Sequence, residues 1–194
     1  MSFINNVAVF AGLLWGISEV ICVIFLRRNE KDGRDKVSYK AITLVSWVCF
    51  TAGINMGIYY MTGKRHFPCC KSNSLIFPYA GTAFLLAGMA VRAAAILTLR
   101  RFFTVNVTIQ DGHEIIRDGL YRFVRHPSYF GSLMACFGLA ISFGNAVVFL
   151  IIFFPFAAIM LGRMSAEEKV LTGHFGDKYR EYMTKTKRII PFVY

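Results

Sequence analysis

The feature that most constrains this chain is a succession of long apolar runs separated by short basic segments. The first run covers about residues 7–26 and is interrupted only by Ser18 and Glu19. The second covers about 39–61, after the polar stretch RRNEKDGRDK, and the third about 74–99, where Arg92 is the single charge. Each comes close to the ~20 residues needed to cross the hydrocarbon core of a bilayer. A fourth apolar region, 129–162, is too long for one crossing and carries Gly144-Asn145, a turn signal, near its middle. It reads as a helical hairpin with ~16–17 residues per arm, short but workable for two spans. The expected fold is therefore all-α: an integral membrane bundle of about five transmembrane helices. The last two form a tight helical hairpin, and a cytosolic amphipathic helical segment follows.

A chain of 194 residues has room for one domain, with three spans in 1–99 and a loop, hairpin and tail in 100–194. Only 17% of its residues are charged against 56% hydrophobic, too little charge to wet a soluble surface. The formal charge of +11 would suit nucleic acid, so the location of the cations decides. The loop at 27–38 holds five Lys and Arg residues, the segment 100–127 five, and the tail from 163 seven. The loop at 62–73 holds three, and the Gly144-Asn145 turn none. By the positive-inside rule the N-terminus is outside, while both long polar segments and the tail face the cytosol. The basic balance thus reads as topology, and no nucleic-acid partner is expected. Nothing resembles a cleavable signal peptide or a lipidation signal. Cys22, Cys49 and Cys136 fall in apolar runs as small buried hydrophobes, and Cys69-Cys70 lie in the outward loop. Without a C-x-x-C spacing, no metal site is expected.

Two cytosolic polar segments bracket the hairpin: DGHEIIRDGLYRFVRHPSYFG at 111–131 and RMSAEEKVLTGHFGDKYREYMTKTKRIIPF at 163–192. A hairpin with a short turn returns the chain to its starting side, so the two are expected to be spatial neighbours. That would gather His113, Tyr121, His126 and Tyr129 near Arg163, Glu167 and Glu168. Arg163 and Glu167 are four apart, so they share one face of a helix continuing out of the last span. The plainest reading is an i,i+4 ion pair beside a snorkelling arginine. Glu168 points elsewhere and is most simply solvated. Lys178, Arg180, Lys185, Lys187 and Arg188 look like a surface for anionic headgroups of the membrane lipids. Pro127 disfavours helix at His126 and breaks the chain just before the fourth span. Glu19 and Arg92 are charges inside spans, which are costly and face a polar interior or a partner. They pair with each other, or Arg92 lies by an acceptor tunnel, or both merely snorkel. From residue chemistry alone, the polar segments imply a pocket at the cytosolic membrane surface and no more.

The pattern H-x-x-x-x-x-G-x-Y-x-x-x-R-H-P-S-Y-x-G runs unbroken from His113 to Gly131. Arg163, Glu167, Glu168 and the F-G-x-x-Y-x-x-Y stretch from Phe175 to Tyr182 follow it. This half of the chain resembles the isoprenylcysteine carboxyl methyltransferase family, related to phospholipid methyltransferases. The resemblance implies an S-adenosylmethionine-dependent enzyme that leaves S-adenosylhomocysteine as product. The stretch His113, Glu114, Ile115 and Ile116, with Tyr121, would line the cofactor pocket. His126, Pro127, Ser128 and Tyr129 would cradle the cofactor, and Glu167 would hold one of its polar groups. Arg163 would face the acceptor carboxylate, which makes Arg163 and Glu167 the implied catalytic pair. Asn106 or Thr108 would supply a further polar contact. The acceptor would be a prenylcysteine or similar lipophilic molecule entering sideways from the bilayer.

Three other readings compete. Phospholipid N-methyltransferases share the C-terminal architecture, but an arginine beside an amine acceptor is electrostatically awkward, so Arg163 favours a carboxylate. Sterol reductases, which use NADPH, carry a related loop of the form R-H-x-N-Y, where this chain has Ser128 in place of Asn. A non-catalytic membrane protein with a degenerate pocket is opposed by the intact set of His126, Tyr129, Arg163 and Glu167.

Overall fold

The computed structural model describes residues 12–20, 48, 51, 74–103, 112 and 114–190. All regular elements among them are helical apart from one isolated bridge between Val124 and Lys187. Residues 12–20 are helical, inside the first expected span. The second expected span, at 39–61, lies outside the described residues except for positions 48 and 51, as do Cys22, Cys49, Cys69 and Cys70. Then come α1 (Ile76–Leu99), α2 (Pro127–Ser142), α3 (Ala146–Phe175) and α4 (Asp177–Lys185), with short 3-10 turns at Arg100–Phe102 and Gly119–Arg122.

Two of these helices, α1 and α3, are long and apolar enough to cross a membrane, with mean hydropathies of 1.8 and 2.3 over their most apolar windows. Their large side chains mostly point outward: Leu86 and Leu97 on α1, and Leu150, Ile151 and Phe154 on α3, are all exposed. In water such a surface would be an aggregation liability; in a bilayer it is the solvated face. Helix α2 is apolar but shorter.

The hairpin forms where the turn signal stood. Gly144 takes φ +58°, a left-handed conformation that suits glycine. Asn145 then caps α3 by accepting from the backbone N–H groups of Val147 and Val148 at 3.0 and 3.1 Å. Helix α2 begins two residues before the apolar run does, because Pro127 is well suited to the first helical turn.

Helices α1 and α2 touch backbone to backbone. Gly81 and Gly88 are seven residues apart, as are Gly131 and Gly138, and the two pairs interlock in antiparallel register. A Cβ at Gly88 would stand 2.4 Å from the Ala135 nitrogen, and one at Gly138 would stand 2.4 Å from that of Leu85. Small residues permit this approach, which substitutes for hydrophobic driving force between helices in lipid. The spacing is visible in the sequence, and it is a packing signal that the apolar runs obscure. Helix α3 completes the core through Val148, Ile152, Phe156, Met160 and Met164 against Leu85, Ala135, Cys136 and Leu139.

Past Gly162 the apolar stretch ends, yet α3 continues to Phe175 as expected. Gly176, at φ +57°, reverses the chain into α4, which buries Tyr179 and Tyr182 and exposes Lys178, Arg180 and Lys185. Residues 186–190 then run beside 123–126. Arg125 N–H donates to the Lys187 carbonyl (2.8 Å), His126 N–H to that of Arg188 (3.1 Å), and Lys187 N–H to that of Phe123 (3.1 Å). The two polar segments are therefore neighbours at one end of the bundle.

Candidate functional site

The site is built where the 3-10 turn at Gly119–Arg122, the start of α2, the polar extension of α3 and the tail converge. Tyr129 is at its centre. Its phenol oxygen accepts from Arg163 Nε at 2.6 Å, and the Glu167 carboxylate acts on it electrostatically. The Arg163 guanidinium carbon also lies 5.9 Å from the centre of the Tyr129 ring. Arg163 and Glu167 lie four apart on α3, but among the described residues the expected i,i+4 ion pair does not form; Arg163 instead reaches across the hairpin to Tyr129. Tyr121 is buried, whereas Tyr129 is half-buried, and Tyr121 also feels the Glu167 charge. Burial, then Glu167, pushes the Tyr121 phenol far above its ordinary range, so it stays protonated. Tyr182 donates to the Tyr121 carbonyl at 2.7 Å, and burial raises its own phenol to about 12. Both Tyr121 and Tyr182 therefore stay protonated at neutral pH.

Ser128 and Pro127 are buried in the first turn of α2. Arg92, on α1, donates to the Ser128 hydroxyl oxygen at 3.0 Å and more weakly to its carbonyl at 3.5 Å. The other edge of that guanidinium pairs with Glu19, Nε to Oε1 at 2.6 Å and Nη2 to Oε2 at 2.7 Å. Of the readings open for these two charges, the structure shows the pairing.

His126 is buried, and its Nε2 lies 3.2 Å from Glu168 Oε1. Its ring meets Tyr129 edge-on at 5.6 Å. Here the structure corrects the expectation of a solvated Glu168, whose side chain is only 13% exposed. Arg125 Nε reaches it at 2.9 Å and Arg188 Nη2 at 3.1 Å. Arg188 is thereby removed from the headgroup surface expected for it, since its side chain is drawn inward onto Glu168 and Ser165. Arg125 further donates to the carbonyls of Met183 (3.0 Å) and Thr186 (2.6 Å). Glu167 and Glu168, adjacent in sequence but ~100° apart around the helix, thus face different partners. Arg125, Glu168, Arg188 and Tyr182 were not legible as a cluster, because the pairing of 123–126 with 186–190 is non-local.

Burial alone would raise the Glu168 carboxyl, but hydrogen bonds from His126 and Arg125, with their charges, hold it down to about 2 against an ordinary 4.5. A lowered carboxyl contributes stability above 4.5, and that contribution is lost as pH falls from there to about 2. Its size is at most ~3 kcal/mol. Glu168→Gln is therefore expected to lower the thermal midpoint in detergent at neutral pH. The gap to wild type should close as the pH is taken below 4.5, and a gap that persists unchanged at low pH would contradict this role.

The remaining expected pocket residues are less tightly held. Glu114 is exposed, and Ile115 and Ile116 are half-buried in an irregular segment leading to the 3-10 turn. His113, Asn106 and Thr108 lie outside the described residues. Among the described residues no group of three or more His, Cys, Asp or Glu side chains is arranged to hold a metal.

The sequence profile of the isoprenylcysteine carboxyl methyltransferase family matches residues 81–173, which span most of α1, all of α2 and most of α3. A probable protein-S-isoprenylcysteine O-methyltransferase of Oryza sativa subsp. indica is 30% identical over 136 residues, covering 63% of this chain and 70% of the relative. Protein-S-isoprenylcysteine O-methyltransferase A of Arabidopsis thaliana is 28% identical over 186 residues, covering 93% of this chain and 89% of the relative. The solved structure of a eukaryotic intramembrane Ras methyltransferase superposes with a TM-score of 0.66 at 23% identity, covering 97% of this chain and 68% of that one. At that identity, the likeness speaks for the fold.

Proposed function

The chain belongs to the isoprenylcysteine carboxyl methyltransferase family, and from that premise we propose that it methylates the carboxylate of a prenylated cysteine, using S-adenosylmethionine. The observation that carries the proposal is Arg163 aimed by its hydrogen bond to Tyr129, with the Glu167 charge acting on the same phenol. It sets a cationic fork and a carboxylate side by side at the membrane-edge end of the bundle.

The donor set fits the cofactor. Buried Tyr121 and half-buried Tyr129 offer ring faces, and Glu167 offers negative charge, which together suit a sulfonium cation. Ser128, His126 and the irregular segment from Glu114 to Ile116 supply polar and apolar contacts of the kind an adenosyl and amino-acid group needs. When bound, S-adenosylmethionine supplies an electrophilic methyl group. The residues of this chain do the rest. Glu167 anchors a polar group of the cofactor, and Arg163 orients the acceptor carboxylate with one oxygen left to attack. Opposite charges meet and vanish in that displacement, so no general base is required; positioning and water exclusion carry the rate. The high phenol pKa of Tyr121 accords with this, because it removes that residue as a base at neutral pH.

In this reading the membrane-spanning bundle has five helices, with the site end and the tail cytosolic and the N-terminus outside. The acceptor enters laterally from the bilayer and the cofactor from the cytosol. Arg163 favours a carboxylate over an amine acceptor, since a cation beside a phospholipid amine would repel it.

The test is calorimetric binding of S-adenosylhomocysteine to the detergent-purified protein, followed by methyl transfer to an S-farnesylcysteine. Binding and transfer together would support the proposal. Folded protein that binds NADPH and not S-adenosylhomocysteine would overturn it. Binding with transfer only to a phospholipid amine would overturn the acceptor.

A further inference from the structure

We propose that Arg92 is a positioning residue for the proposed binding turn, and that it acts on Ser128 through a guanidinium whose orientation is set by Glu19. The inference rests on the assignment of residues 126–129 to the cofactor and goes beyond it, because neither Arg92 nor Glu19 belongs to that turn.

The geometry divides the five donors of the guanidinium between two tasks. One edge forms two near-parallel bonds to Glu19, at 2.6 and 2.7 Å. A bidentate pair of this kind fixes the plane of the fork, which a single contact does not. The remaining nitrogen, Nη1, is then aimed at Ser128, with 3.0 Å to its hydroxyl and 3.5 Å to its carbonyl. Glu19 is held in turn by Trp15, whose indole N–H donates to Oε1 at 3.2 Å. The Trp15 ring is buried and packs edge-on against Phe156 of α3 at 6.0 Å. The base of the arginine is equally constrained. Its backbone nitrogen sits where a Cβ on Gly131 would come within 2.6 Å, at the tight crossing of α1 and α2. The chain Trp15–Glu19–Arg92–Ser128 thus runs from the first helix to the turn and is fixed at both ends.

Energetics argue that this arrangement does more than hold helices together. Charges within spans are costly, and an ion pair out of water is often no more stabilising than apolar residues of the same volume. Bundle packing alone would be served as well by two methionines. What methionines cannot supply is a directed donor at Ser128. With its oxygen engaged by a cation, the Ser128 hydroxyl is polarised, and its own proton is the group it has left to offer an acceptor atom on the cofactor.

The experiment measures the Kd of S-adenosylhomocysteine and the thermal midpoint in detergent. The proteins compared are wild type, Arg92→Lys, Ser128→Ala, the Arg92→Lys/Ser128→Ala double variant, and the charge-free pair Arg92→Met/Glu19→Met. Lysine keeps the charge but cannot serve Glu19 and Ser128 at once. Arg92→Lys is therefore expected to weaken binding by about tenfold or more, as loss of a charge-assisted hydrogen bond does, at a midpoint close to wild type. Ser128→Ala should weaken binding by a similar factor. The double variant should be no weaker than the worse single one, because both act through one contact. Additive losses would overturn the proposal, and so would wild-type Kd in Arg92→Lys. If Arg92→Lys fails to fold, the charge-free pair decides: wild-type Kd in the folded protein overturns the proposal, and a raised Kd supports it. Failure of wild type to bind S-adenosylhomocysteine would sink the cofactor assignment itself, and this proposal with it.

Discussion

Arg163→Ala is expected to lower kcat/KM for a prenylcysteine acceptor by about 10²–10³-fold, with S-adenosylhomocysteine binding largely retained. Arg163 is half-buried at the end of the apolar part of α3, and its guanidinium is oriented by the Tyr129 phenol at 2.6 Å. An acceptor carboxylate drawn from the lipid side would meet a pre-aimed cation there. Removing that cation leaves a desolvated carboxylate without its partner, a loss of roughly 2–5 kcal/mol in comparable buried pairs. Arg163→Lys should recover only part of the rate, because a point charge does not reproduce the planar fork.

Glu167→Ala is expected to divide the other way, with S-adenosylhomocysteine affinity collapsing before any effect on the acceptor is measured. The two carboxylates of the Glu167-Glu168 pair would thus separate experimentally into one that binds and one that holds the tail. The assay is radiolabelled methyl transfer at varied cofactor and acceptor, alongside calorimetry. Equal damage to both affinities in Arg163→Ala and Glu167→Ala would contradict the division of roles.

The second large effect concerns the crossing of α1 and α2. Gly88→Val is expected to abolish the folded protein or to lower its midpoint by roughly 6–12 °C, taking about 3 kcal/mol for severe overpacking. The reason is the nature of the neighbours. A Cβ at Gly88 would meet the Ala135 nitrogen at 2.4 Å, the Gly131 carbonyl at 2.6 Å and the Ala135 Cα at 2.9 Å. All three are backbone atoms, and none can rotate away as a side-chain end would. The helices would have to separate, which also moves Arg92 away from Ser128 and shifts the start of α2. Gly162→Ala is the control: nothing lies within 4 Å of its would-be Cβ, so it should fold as wild type or slightly better. The readout is the monodisperse yield and the melting of detergent-solubilised protein. A Gly88→Val variant that folds and melts like wild type would refute the close crossing.

Much of this was written in local chemistry. The hairpin was legible because Gly144 and Asn145 each do something a neighbour cannot: one takes positive φ, and the other caps α3 with its side chain. Pro127 marked the start of α2 for the same kind of reason. The site was legible in outline, since a short-turn hairpin must bring 111–131 back beside the residues after 163. Glu168 was misread because its partners come from two segments that are far apart in sequence, Arg125 and His126 on one side and Arg188 on the other. No periodicity within one helix reports such a meeting.

The sequence by itself therefore determined the membrane class, the hairpin, the neighbourhood of the two polar segments and the family. These follow from the length of apolar runs, from backbone-restricting residues and from an unbroken motif, all of which are local properties. Only the tertiary structure decided which charge meets which: Arg163 on Tyr129, Arg92 between Glu19 and Ser128, and Glu168 beneath three cationic or titratable side chains. Those choices depend on helix rotation and on the register of 186–190 against 123–126. The interlocked glycines and the bridge at Val124 and Lys187 fix both to within one residue.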